Sequence, residues 1–206
     1  IEISCGASMG STRDAIPSRL DRGEPADVVI LAREALDKLA AEGRVSAESR
    51  TDLAQSRIAM AVRAGAALLD ISSMEAFRQT LLAAKSVAWS DSASGVFLQT
   101  VLFPRMGLGE VMKAKGRMVA NEPIGLVVAR GQAEIGFQQV SELKPIASIT
   151  IVGAIPSAAQ KTTVFSAGLV ARSDHAQEAR ALIAYLASPQ AAQVIRDTGM
   201  DKVEAP

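Results

Sequence analysis

The sequence predicts an α/β fold, and three observations carry that prediction. Short apolar runs alternate with amphipathic segments along the 206 residues. Ala, Val, Ile and Leu dominate while aromatics make up only 3%, which favours mixed strands and helices over an all-β sandwich. The third observation is the stretch Cys5 to Ile30, around which the chain is organised. Ile1, Ile3 and Cys5 read as a short strand, and Gly6 to Thr12 as a turn of small and hydroxylic residues. Ile16 and Leu20 mark the apolar face of a helix stopped at Arg22-Gly23, and Ala26 to Ile30 begins a second strand. Strand, turn, helix, strand is a βαβ unit. A turn opening such a helix is where N–H groups and hydroxyls converge on a small anion. On local features alone, Ser11 or Thr12 capping the helix is favoured over ligand binding.

The remaining elements follow in order. Leu31 to Gly43 carries Leu31, Ala35, Leu36 and Leu39 on one helical face, with Gly43 as the stop. Ser56 to Val62 alternates as a strand broken at Gly65, and Ser72 or Ser73 caps a helix running to Ala84. Ser86 to Trp89 is a short strand that runs into Ser90-Asp91-Ser92-Ala93-Ser94-Gly95 and then a helix from about Val96 to Met106-Gly107. This repeats the opening design, with Asp91 read as a turn-former or cap. Met118 to Ala120 is a weak strand. Asn121 to Ile124 leads into a helix closed by Gly131, and Ala133 to Gln139 is a strand. Further strands are expected at Ile149–Val152 and Thr163–Val170, separated by a polar turn, with Gly168 a point of close approach. Ser173-Asp174-His175 caps a helix bearing Ala179, Leu182, Ile183 and Leu186, and Pro189 to Arg196 forms the last helix before Gly199.

Composition narrows the function. Lys plus Arg and Asp plus Glu both number 22, so the formal net charge is zero and no nucleic-acid footprint is expected. Cys5 is the single cysteine, which excludes an intramolecular disulfide, and it reads as a small buried hydrophobe. His175, the single histidine, reads as an exposed cap residue. No apolar run reaches membrane-spanning length and no basic leader with an apolar core is visible, so the chain is expected to be soluble, any export signal having been removed. The P-loop, HExxH, CxxC and nucleophile-elbow patterns are absent. No metal, cofactor or catalytic residue is predicted.

The small-hydroxylic turn followed by RGEPADVVI (Arg22 to Ile30) closely resembles the molybdate-binding type of bacterial periplasmic solute-binding proteins. There a Ser in this turn holds an oxyanion. Ser90 to Gly95 resembles the family's second anion-binding segment, with Ala93-Ser94-Gly95 in place of P-A-G. The helix, R-G-x-A-E-x-G, strand pattern at Arg130 to Gly136 also matches, but Gln139 stands where the family has a Tyr whose hydroxyl touches the anion. EARALIAYLASPQAAQVIRDTG (Glu178 to Gly199) is similar to the closing helix pair of many solute-binding proteins.

The resemblance implies a two-lobed α/β architecture of the type II periplasmic binding proteins, closing on an anion by hinge motion. Its first lobe is expected over 1–57 and 168–206 and its second over 58–167, with hinge strands near 58–62 and 164–170. Ligand contacts are expected from Ser8, Ser11, Thr12, Ser92, Ser94, Asn121 and Gln139, a set of neutral donors. The function implied is a non-enzymatic periplasmic receptor that passes a small anion, oxyanion or carboxylate, to the membrane subunit of an ABC importer. An effector-binding domain of a transcription regulator and an enzyme on the same scaffold are the alternatives. Three departures qualify the match. The Ser8–Thr12 turn is longer than the usual one, and Gln139 and Asn121 bring carbonyl oxygens beside their donors, which shifts the expected ligand toward an organic or less symmetrical anion. Family members also begin with a further strand and helix, so the first lobe is expected to lack both. That implies a trimmed chain, or a short variant that associates with another copy.

Overall fold

A computed structural model describes residues 1–203, so Glu204, Ala205 and Pro206, the end of the expected first lobe, lie outside the described residues. The chain forms two compact units, Ile1–Ser56 with Thr163–Pro206, and Arg57–Thr162.

The chain starts in the first unit, and its opening corrects the sequence reading. Ile1 to Cys5 joins no sheet; Ile1 and Ile3 are exposed, and Cys5 is an exposed thiol rather than a buried hydrophobe. Alternating apolar residues become a strand only where a neighbour takes their backbone hydrogen bonds, and no described strand does so here. The following loop closes on itself: the Ile16 N–H donates to the Ala7 carbonyl at 3.0 Å. Helix α1 (Ile16–Asp21) has Pro17 in its first turn and Ala15 at its N-cap with no side-chain cap, so Ser11 and Thr12 do not cap it. Strand β1 (Val28–Ala32) leads straight into α2 (Arg33–Ala41), which buries Ala35, Leu36 and Leu39. Strand β2 (Thr51–Ser56) ends this passage.

The second unit opens with β3 (Ile58–Arg63) and α3 (Met74–Ala83), where Ser73 Oγ accepts the Ala76 N–H at 3.1 Å as the expected cap. Next come β4 (Val87–Ser90) and α4 (Ala93–Phe97), which passes through a π-helical turn at Leu98–Leu102 into α5 (Phe103–Arg105). Helix α6 (Gly109–Lys115), β5 (Gly116–Val119), α7 (Ile124–Ala129), β6 (Ile135–Gln139), α8 (Val140–Leu143) and β7 (Ile149–Ala154) complete it. The chain then returns to the first unit through β8 (Thr163–Leu169), α9 (Ala176–Ala187), α10 (Ala192–Asp197) and β9 (Asp201–Lys202).

The first sheet has the order β1-β8-β2-β9 with antiparallel pairs, and the second the order β5-β4-β6-β3-β7. In the second, β4 runs parallel to β5 and β6, while β3 is antiparallel to β6 and β7. Strand β3 pairs only within the second sheet and β8 only within the first. The division between the two units falls at Ser56–Arg57 and Thr162–Thr163.

Strand periodicity sorts the second unit's core. Met60, Trp89 and Phe137 join a cluster with Phe77, Leu98 and Phe103, while Ala59, Ala61 and Ala88 pack with Ile124, Val127 and Val128 of α7. Each large side chain so buried contributes about 1.5–3 kcal/mol. Small residues on the α7 side bring that helix close: a Cβ on Gly136 would lie 2.5 Å from Val128 Cγ2. Parallel β4, β5 and β6 consequently end together, near Ser90, Val119 and Gln139, and ligands of parallel α/β sheets bind beyond such strand ends. Among the described residues no helix is long and apolar enough to cross a membrane.

Candidate anion-binding residues

At the end of β4 the chain turns into α4 over Ser90–Ser94, five residues carrying three hydroxyls. Ser90 Oγ and Ser92 Oγ are 2.7 Å apart, and Ser92 Oγ and Ser94 Oγ 3.3 Å apart, so the three form one hydrogen-bonded row. Ser90 and Ser94 are buried, while Ser92 is half-buried. Gly95 makes the turn: a Cβ there would lie 1.6 Å from the Ser90 carbonyl oxygen. The Asp91 N–H donates to the Val119 carbonyl at 3.2 Å, locking the turn to the end of β5. The half-buried Asp91 carboxylate, in contrast, has no protein hydrogen-bond partner among the described residues. The structure thus brings the hydroxyls of Ser92 and Ser94 together with that of Ser90, which the sequence reading placed in the same turn without naming it as a ligand contact.

The amides behave differently from expectation. Gln139 is the N-cap of α8 in a capping box: its side chain accepts the Glu142 N–H, and the Glu142 carboxylate accepts the Gln139 N–H at 3.3 Å. One acceptor site of its side-chain oxygen is therefore taken by the helix. Gln138, buried beside it, accepts the Ile124 N–H at 2.9 Å and also hydrogen-bonds the Glu142 carboxylate. Removal from water raises the Glu142 pKa, and bonds from the Gln139 N–H and the Gln138 amide oppose that rise. Asn121 is exposed after β5 with φ 60, a left-handed conformation that Asn tolerates better than most residues.

In the first unit, Ser8 Oγ accepts the Ala32 N–H at 3.1 Å, which places that hydroxyl where β1 passes into α2. Ser11 is exposed in the same loop, and Thr12 is half-buried with its carbonyl accepting the Ala15 N–H at 3.1 Å. Sequence reading missed the neighbouring polar group. Arg33, the first residue of α2, pairs Nη2 with Asp52 Oδ2 at 2.7 Å, and the Ser166 hydroxyl donates to Asp52 Oδ1 at 2.6 Å. An arginine in the first turn of an amphipathic helix looks like ordinary solvated charge; only the β1-β8-β2 order brings these three residues together.

Comparison with known proteins adds four findings. The sequence model of the bacterial extracellular solute-binding protein family matches residues 1–201. A Pseudomonas protein named aconitate isomerase is 57% identical over 205 residues, covering 100% of this chain and 78% of that one. The periplasmic molybdate-binding protein of Azotobacter vinelandii superposes with a TM-score of 0.73 at 20% identity, over 92% of this chain and 83% of the other. A substrate-binding domain of a putative molybdenum ABC transporter from Clostridium difficile gives 0.68 at 20% identity, over 97% and 84%. The solved structures establish the periplasmic-binding-protein fold expected from the sequence. The expectation of a non-enzymatic protein is corrected: so similar a relative bears the name of an enzyme.

Proposed function

The chain belongs to the family of bacterial extracellular solute-binding proteins, and on that premise we propose that it is an isomerase of the aconitate type, using an anion-binding scaffold to hold an unsaturated tricarboxylate. The observation that carries this reading is 57% identity to the Pseudomonas aconitate isomerase across the full length of the chain. The hydroxyl row supports it. Ser90, Ser92 and Ser94 offer donors to a carboxylate oxygen at the ends of parallel strands.

The chemistry asks little of the protein beyond binding and one proton carrier. Aconitate carries a carboxylate on each carbon of a three-carbon unit, one carbon being a methylene beside the double bond. A base takes a proton from that methylene, and the C–H electron pair spreads over the three carbons and their carboxylates. Returning a proton to the far carbon moves the double bond by one position. The skeleton then emerges as the other geometric isomer, with no net change in atoms or electrons. Asp91 is the carboxylate on the serine turn whose side chain is uncommitted to a protein partner, and we assign it the proton transfer. Donors around it stabilise the delocalised anion.

Family membership favours a second role outside the cytoplasm, in which the captured anion is presented to the membrane subunit of an ABC importer. The test of the main reading is conversion of one pure isomer of aconitate into the other by the purified protein, resolved by chromatography.

A further inference from the structure

We infer that Arg33 is a carboxylate-recognising residue of the first unit, its guanidinium fixed by Asp52 so that its remaining donors take one carboxylate of the ligand. The inference rests on the polycarboxylate reading above and names the group that distinguishes such a ligand from a simple oxyanion.

The ion pair between Arg33 and Asp52 is incomplete. A guanidinium normally meets a carboxylate through two parallel bonds. Arg19 does so with Glu24, Nε to Oε2 at 2.9 Å and Nη2 to Oε1 at 2.8 Å. Arg33 reaches Asp52 through Nη2 alone, because the other carboxylate oxygen is held by the Ser166 hydroxyl, itself fully buried. Arg33 Nε is left as the sole buried side-chain polar atom without a hydrogen-bond partner among the described residues. An internal salt bridge optimised for stability would not leave that donor unpaired.

Position gives the cluster its sign. Arg33 is the first residue of α2, where the helix dipole already favours an anion and disfavours a cation. Asp52 cancels the guanidinium charge but not the dipole. Ser8, bonded at Ala32 through its oxygen, retains its own hydroxyl proton as a donor beside the same helix start. The Arg33 side chain is 37% exposed, so the guanidinium reaches solvent while Asp52 holds Nη2 and Nε stays buried. A fixed, part-exposed guanidinium with donors in excess of its partner is suited to a planar carboxylate. A lysine ammonium could keep the Asp52 contact but would supply no planar fork.

The test uses tricarballylate, the saturated tricarboxylate, which has no double bond to isomerise. Titration calorimetry on the wild type, Arg33→Lys and Arg33→Ala is paired with thermal melting of each. Arg33→Lys is expected to melt near the wild type and bind about tenfold more weakly, and Arg33→Ala about ten- to a hundredfold more weakly. Unchanged affinity in Arg33→Lys, or a wild type that does not bind tricarballylate, overturns the inference. If Arg33→Ala does not fold, Arg33→Lys decides alone. A parallel wild-type turnover assay separates the two claims: Arg33-dependent binding without turnover removes the isomerase reading and leaves this one, whereas turnover with unchanged Arg33→Lys binding does the reverse.

Discussion

The amide oxygen of Gln138 accepts the backbone N–H of Ile124 at 2.9 Å, inside the protein, and so ties the end of β6 to the start of α7. Its amide group also hydrogen-bonds the Glu142 carboxylate, which extends the tie to α8. Replacing Gln138 by Leu fills a similar volume but leaves the Ile124 N–H buried and unsatisfied. An expected loss of about 1–3 kcal/mol follows, measurable as a lower urea midpoint at constant slope. A variant as stable as the wild type would show that this contact does not hold α7.

Much of this framework was legible in the sequence because it depends on local chemistry. Ser73 caps α3 as its position promised, and a Cβ at Gly168 would lie 2.5 Å from Val45 Cγ1, the close approach expected there. What escaped depended on partners distant in sequence. Alternation made Ile1 to Cys5 look like a strand, yet a strand needs a neighbour and this segment has none among those described. Conversely, TDLAQS lacks clean alternation, but β8 and β9 flank it and it becomes β2. The same division runs through the site. The serine turn was readable from composition, whereas the Arg33–Asp52–Ser166 group exists only because residues 52 and 166 meet across the sheet.

Gly95 offers a test of the serine turn. A methyl group there would overlap the Ser90 carbonyl oxygen at 1.6 Å, so backbone must move to admit it. Gly95→Ala is expected to cost about 1–3 kcal/mol in stability and to weaken tricarboxylate binding by displacing Ser92 and Ser94. Melting and calorimetry check both; a variant with wild-type melting and affinity would show that the turn is not confined as described.

Glu142 sets a pH dependence of known sign. Exclusion of water raises its folded pKa above the ordinary glutamate value, so the folded state favours the protonated form. Its contribution to stability is therefore full below the ordinary pKa and is lost as pH rises through the raised one. Glu142→Gln keeps an acceptor for the Gln139 N–H without titrating. Across that window the melting temperature of the variant should gain on the wild type as pH increases. A difference that stays constant, or moves the other way, contradicts the assignment.

The central claim, turnover of an unsaturated tricarboxylate on this scaffold, is tested most directly by proton NMR of the purified protein with cis-aconitate and with trans-aconitate in separate samples. The account predicts that both reach the same isomer ratio. It further predicts that Asp91→Asn retains tricarballylate binding while slowing conversion by at least about a hundredfold, the scale of one general acid–base group. Saturable binding of either isomer with no interconversion by the wild type would contradict it.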